Sequence, residues 1–187
     1  MNEIDLSNAL DVLGTQGVIA YPTESVFGLG CDPDCDGAIE KILALKKRPA
    51  YKGLILIAAN IQQLTDYADF SSLNAKQLAA IKKTWPGPVT WVVPKRKNLS
   101  KLICGDFASV AVRVSAHPVV QQLCLAFDKP IISTSANLTG LAPPTTSREV
   151  TDMFANQPLL GAVIDAPVSG LSAPSHIYDA LSGKRLR

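Results

Sequence analysis

The sequence predicts a single α/β or α+β domain, residues 1–187, in which a mixed β-sheet is covered by helices. Three observations predict it. Short aliphatic runs alternate with stretches of helical apolar spacing along the whole chain, and most connections between them are only a few residues long. Hydrophobic residues make up 47% of the 187 positions, enough for one large aliphatic core.

Taken in order, residues 6–16 place Leu6, Leu10 and Leu13 on one helical face, and Gly17 stops that helix before the buried strand GVIAYP. Ile39, Ile42 and Leu43 form the apolar stripe of a second helix, from Ala38 to Arg48 at the latest. Pro49 ends it, because the residue ahead of a proline is pushed out of the helical region. Residues 53–59 read as a strand, and residues 74–83 as a helix capped by Asn74. Strands follow at 89–94 and 109–114, a helix at 118–127, and a strand at 131–135. A capped helix at 147–154 and late strands at 162–165 and 176–179 complete the set. The stretch 136–147, with prolines and small polar residues, suits a mobile loop over a site.

Composition excludes several classes. A net charge of +2 does not mark a nucleic-acid binder by itself, so any basic surface must come from clustering. The opening MNEIDLSNAL lacks a basic flank or signal-type core, and no apolar run reaches the roughly 18 residues that span a bilayer. The expectation is a cytoplasmic protein with no membrane contact. Cys31, Cys35, Cys104 and Cys124 are too scattered for a disulfide scaffold, and neither they nor His117 and His176 show metal-ligand spacing. No Walker loop, dinucleotide fingerprint or G-x-S-x-G elbow is present.

What remains is a set of hydroxyls and cations at or within strands: PTES at 22–25, Lys46, Arg48 and Lys52, SVAVRVS at 109–115, STSAN at 133–137 and SAPSH at 172–176. Ligands of open α/β sheets collect at strand ends, where loops present such groups. Arg113 interrupts an apolar strand, so it either faces solvent or meets an anion; spacing leaves both open. STSAN equally suits an Asx turn. Lys46, Lys47 and Arg48 equally suit the C-terminal end of a helix dipole, worth about 0.3–1 kcal/mol each.

Together and in this order, the segments GVIAYPTESVFGLGCD, KKRPAYKGL, WPGPVTWVV, VAVRVSAHP, STSANLTG and APSHIYD resemble the YrdC-like family of threonylcarbamoyl-AMP synthases over nearly the whole chain. The resemblance implies a twisted mixed sheet with a basic concave cavity, in the short stand-alone bacterial form. It implies a nucleotidyltransferase that makes threonylcarbamoyl-AMP and pyrophosphate from L-threonine, bicarbonate or CO2, and ATP, with Mg2+ accompanying ATP. Partner proteins would then modify tRNA beside the anticodon, and tRNA itself is a candidate ligand. By resemblance Lys46, Arg48 and Ser135 are catalytic. ATP would be held by Lys46, Arg48, Lys52, Ser109, Ser135, Asn137, Thr145 and Arg187, and threonine by Thr23, Arg113 and Ser175. No protein-held metal is implied. Two departures stand out: Ser175-His176 replaces the usual Ser-Thr, and the chain stops at Arg187, where the family ordinarily continues. The competing readings are a non-catalytic RNA-binding module and a paralogue that adenylates a different carbamate.

Overall fold

The computed structural model describes residues 3–171 and 175–187. It contains six α-helices and eight strands among those residues: α1 Glu3–Gly14, β1 Val18–Pro22, β2 Phe27–Gly30, α2 Asp36–Lys46, β3 Ile55–Ala58, α3 Ala75–Thr84, β4 Val89–Pro94, α4 Lys101–Cys104, β5 Ser109–Val114, α5 Pro118–Ala126, β6 Ile131–Ser135, α6 Ser147–Met153, β7 Leu160–Val163 and β8 His176–Asp179. The strands form one mixed sheet in the order β7-β1-β2-β6-β3-β5-β4-β8.

Local chemistry sets the helix boundaries. Asn74 and Gln77 close a reciprocal capping box on α3, and Thr146 with Glu149 does the same for α6. Lys47 ends α2 in the left-handed conformation, φ 48°, its N–H returning to the carbonyls of the last turn. His117 caps α5 through its ring nitrogen, with Pro118 in the first turn.

Two departures from the sequence reading concern strands. β2 was not anticipated, because FGLG puts glycine at alternate positions of a short run. The buried Tyr21 ring occupies the space a side chain would need there: a Cβ on Gly30 would lie 2.7 Å from Tyr21 Cε1 and 2.8 Å from the Ile132 carbonyl. β7 begins at Leu160 rather than 162, pairing in parallel with β1.

The register explains where the cavity lies. Val110, Val112 and Val114 point into the larger core with Ile39 and Ile42 of α2 and Ile81 of α3. The alternate residues Ser109, Ala111 and Arg113 share the opposite face, in line with Ile55 and Ile57 of β3 and Ser133 and Ile131 of β6. Half of that face, around Ile57 and Ile131, is buried under Leu13 of α1 and Val120 and Leu123 of α5. The other half, with Ser109, Ala111, Arg113, Ile55 and Ser133, lines a cavity.

Candidate active site

The cavity has a volume of about 630 Å³. Of the eleven residues expected at the site, Thr23, Arg48, Lys52, Ser109, Arg113, Ser135, Ser175 and Arg187 line it. Four of these are cations, against one lining carboxylate, Asp179, which accepts from the Ser182 N–H and hydroxyl, each at 2.7 Å. The two alternatives left open for Arg113 are resolved: its side chain is 8% exposed and faces the cavity, not bulk solvent.

Arg113 is held on two sides. Its Nε donates to the Gly87 carbonyl at 3.1 Å, and its Nη2 forms an ion pair with Glu24. The other Glu24 oxygen accepts from the Ser115 hydroxyl at 2.9 Å and the Ala116 N–H at 3.0 Å. Burial raises the Glu24 carboxyl pKa, but the Arg113 charge and these hydrogen bonds outweigh it, and the net shift is downward. Sequence reasoning did not single out Glu24. Its signal was an acid directly after the strand-end Thr23, but the counter-charge lies on a distant strand.

Arg48 is positioned by the turn that Pro49 starts. Its Nη2 and Nε donate to the Gly53 carbonyl at 2.9 and 3.2 Å. That turn, the 3-10 segment Ala50–Lys52, lies so close to the end of α4 that a Cβ on Gly105, φ 60°, would stand 2.2 Å from the Tyr51 carbonyl oxygen. Lys47 is exposed and capping, and does not line the cavity.

Three expected ATP contacts stand off the cavity wall. Lys46 is only 4% exposed; its ammonium donates to the Ser135 carbonyl, the Asn137 carbonyl at 2.8 Å and Asn137 Oδ1 at 3.2 Å. Asn137 spends its amide on Leu138 and Leu141 carbonyls and accepts the Ser135 hydroxyl at 2.6 Å. The α2 end thus reaches the end of β6 and ties down the loop that follows it. Burial, with Arg48 adding, lowers the Lys46 pKa to about 8. Thr145 is exposed and bonded to Glu149 by its N–H at 2.7 Å and hydroxyl at 3.2 Å, as part of the α6 cap. The 136–147 loop, expected to be mobile, is tied further by the Thr139 hydroxyl to the Lys46 carbonyl and by Phe27 N–H to the Pro144 carbonyl.

At the far edge, Arg187 folds back on β8: its N–H and that of Leu186 reach the Ile177 carbonyl, and its Nη2 donates to Ser175 O and Oγ at 3.0 and 3.2 Å. Thr90 Oγ1 donates to Ser175 Oγ at 3.3 Å. Burial lowers the Arg187 pKa, and the Arg113 charge adds to it, so the two cations feel one another. His176, the departure from Ser-Thr, alternates to the opposite face and meets Arg185 at 2.8 Å, away from the cavity wall. Residues 172–174 of the SAPSH segment lie outside the described residues.

Comparison with known proteins places the chain in a family. The family profile Sua5_yciO_yrdC, described as "Telomere recombination", matches residues 11–187. The chain belongs to the Sua5/YciO/YrdC family. It is 68% identical over 187 residues to a threonylcarbamoyl-AMP synthase of Psychromonas ingrahamii, covering 98% of that protein. It is 53% identical over 183 residues to one of Photobacterium profundum, again covering 98% of it. Among solved structures, P. abyssi Sua5 complexed with L-threonine superposes with a TM-score of 0.87 at 30% identity; 96% of the present chain is covered, which spans 52% of the Sua5 chain. E. coli YciO, at 22% identity and TM-score 0.82, shares the fold.

Proposed function

We propose that this family member is an L-threonylcarbamoyladenylate synthase. The observation that carries the reading is that separate cations on different elements line one cavity: Arg113 on β5, in register with Ile57 of β3, and Arg48 on the turn after α2, tied to the Gly53 carbonyl before β3 begins. Two such stations suit a substrate pair with a carboxylate at one and a triphosphate at the other. The names of the curated relatives support the same reading.

Threonine's amine captures CO2 to give a carbamate, whose oxygen attacks the α-phosphorus of ATP as pyrophosphate leaves. Such a transfer depends mostly on positioning and charge neutralisation. Arg113 would hold the threonine carboxylate, with the Thr23 and Ser175 hydroxyls beside it. Arg48 and Lys52 would hold the phosphates, with Ser109, Ser135 and Arg187 lining the nucleotide's path. Lys46 and Asn137 would act from behind by shaping the Ser135 loop. Mg2+ would arrive on the triphosphate's own oxygens. The adenylate would be passed to partner proteins that modify tRNA. No helix among the described residues is long and apolar enough to cross a membrane.

The test is pyrophosphate release measured with ATP, Mg2+ and bicarbonate against a panel of amino acids. Release that depends on threonine and on bicarbonate is the expected result. Release with a different amine would give the paralogue reading, and none with any amine, alongside salt-sensitive RNA binding, would give the RNA-binding module.

A further inference from the structure

Glu24 is 4% exposed and does not line the cavity, yet it is the hub of the polar network behind Arg113. Each of its carboxylate oxygens is committed: one to the Ser115 hydroxyl and Ala116 N–H, the other to Arg113. Ser115 in turn accepts from the His117 N–H at 3.1 Å, which fixes the turn between β5 and α5. The main chain of Thr23 and Glu24 holds residues 169–171. The Thr23 carbonyl accepts the Ser169 N–H and the Glu24 carbonyl the Leu171 N–H, while His117 Nε2 lies 3.1 Å from the Pro167 carbonyl.

Stability alone does not account for such a pair, since a buried ion pair commonly does no better than apolar residues of the same volume. Its consequence for the cavity is geometric. With Nε tied to Gly87 and Nη2 to Glu24, the guanidinium plane has a fixed orientation before any ligand arrives, held between two partners at 8% exposure.

From this we infer that Glu24 is a positioning residue for the amino-acid end of the site: it sets the edge of Arg113 that meets the substrate carboxylate and so confers selection for a carboxylate there. The inference rests on the function proposed above for Arg113. It separates Glu24 from the phosphate-binding residues, which the network does not reach.

The experiment is calorimetric titration of L-threonine, of its carboxamide analogue and of ATP into the wild type, Glu24→Gln, Arg113→Ala and the double variant, with thermal melts alongside. Glu24→Gln should weaken threonine binding tenfold or more and bring its preference over the carboxamide close to unity, while ATP affinity stays within about twofold. The double variant should bind threonine no more weakly than Arg113→Ala alone, because both substitutions remove one unit. A lowered melting temperature with unchanged threonine affinity and selectivity in Glu24→Gln would overturn the inference, as would penalties that multiply in the double variant. Should Glu24→Gln not fold, Glu24→Asp keeps the charge but is one methylene short of reaching Ser115 and Arg113 together. A severalfold weaker threonine affinity in it supports the inference, and wild-type affinity refutes it. A wild type that binds no threonine at all would instead remove the functional reading beneath both.

Discussion

At the scale of single residues, KKRPAYKGL divides its labour by direction. Lys46 turns inward to the Ser135 and Asn137 carbonyls, Lys47 caps α2 in solvent, and Arg48 reaches the cavity wall. Lys46→Ala and Arg48→Ala should each cut threonine-dependent pyrophosphate release on the order of a hundredfold, and Lys47→Ala far less. Only Lys46→Ala should also lower the melting temperature clearly, because it strands buried carbonyls. Equal small melting shifts and intact turnover in all three would leave only the helix-dipole role. Arg113→Ala should lose roughly 3–5 kcal/mol of threonine affinity, read by calorimetry, with ATP affinity little changed. The Glu24 carboxyl carries its own signature. Its folded pKa lies below the ordinary value of 4.5, so the unfolded chain takes up the proton first on acidification. The stability it contributes is complete above about pH 4.5 and is lost as pH falls through the folded value. Denaturant titrations should therefore show the gap between wild type and Glu24→Gln closing below that pH; a constant gap would refute the assignment. The cations themselves were legible in the sequence. For Arg113, alternation with Val110, Val112 and Val114 fixes its face but not whether solvent or a cavity lies there.

At the scale of elements, regular features with strong chemistry were readable. The Pro49 stop of α2, the Asn74 cap of α3, the capped α6 and the aliphatic strands lie within a residue or a few of expectation. β2 was hidden because its glycines serve the Tyr21 ring rather than strand propensity. The four-residue α4 was hidden because so short a helix has no periodicity; it depends on the Ser100 cap and tertiary packing. That packing predicts a remote effect. A Cβ on Gly105 would stand 2.2 Å from the Tyr51 carbonyl oxygen, backbone against backbone, at a positive φ. Gly105→Ala should therefore lower stability in denaturant titration by about 1–3 kcal/mol or more. By shifting the turn that holds Arg48, it should also raise the KM for ATP more than that for threonine. Equal effects on both substrates would mean that the turn does not transmit to Arg48.

At the scale of the whole molecule, the cavity exists because α1 and α5 cover only part of one sheet face, leaving Arg113, Ser109, Ala111 and Ser133 as its floor. Strand order decides this, and strand order is what a single sequence conveys least. Ordered motifs predicted most of the residues that gather, whereas the fold places Lys46 and Asn137 behind the wall and Thr145 in the exposed cap of α6. The central claim is that this cavity joins a threonine carbamate to AMP. The most direct test supplies the protein with L-threonine, ATP, Mg2+ and 13C-bicarbonate, and weighs the nucleotide products by mass spectrometry. The expected product is a threonylcarbamoyl adenylate one mass unit heavier than with unlabelled bicarbonate, formed with pyrophosphate and absent without threonine. Hydrolysis of ATP with no labelled adenylate, or an adenylate that carries no label, would contradict it.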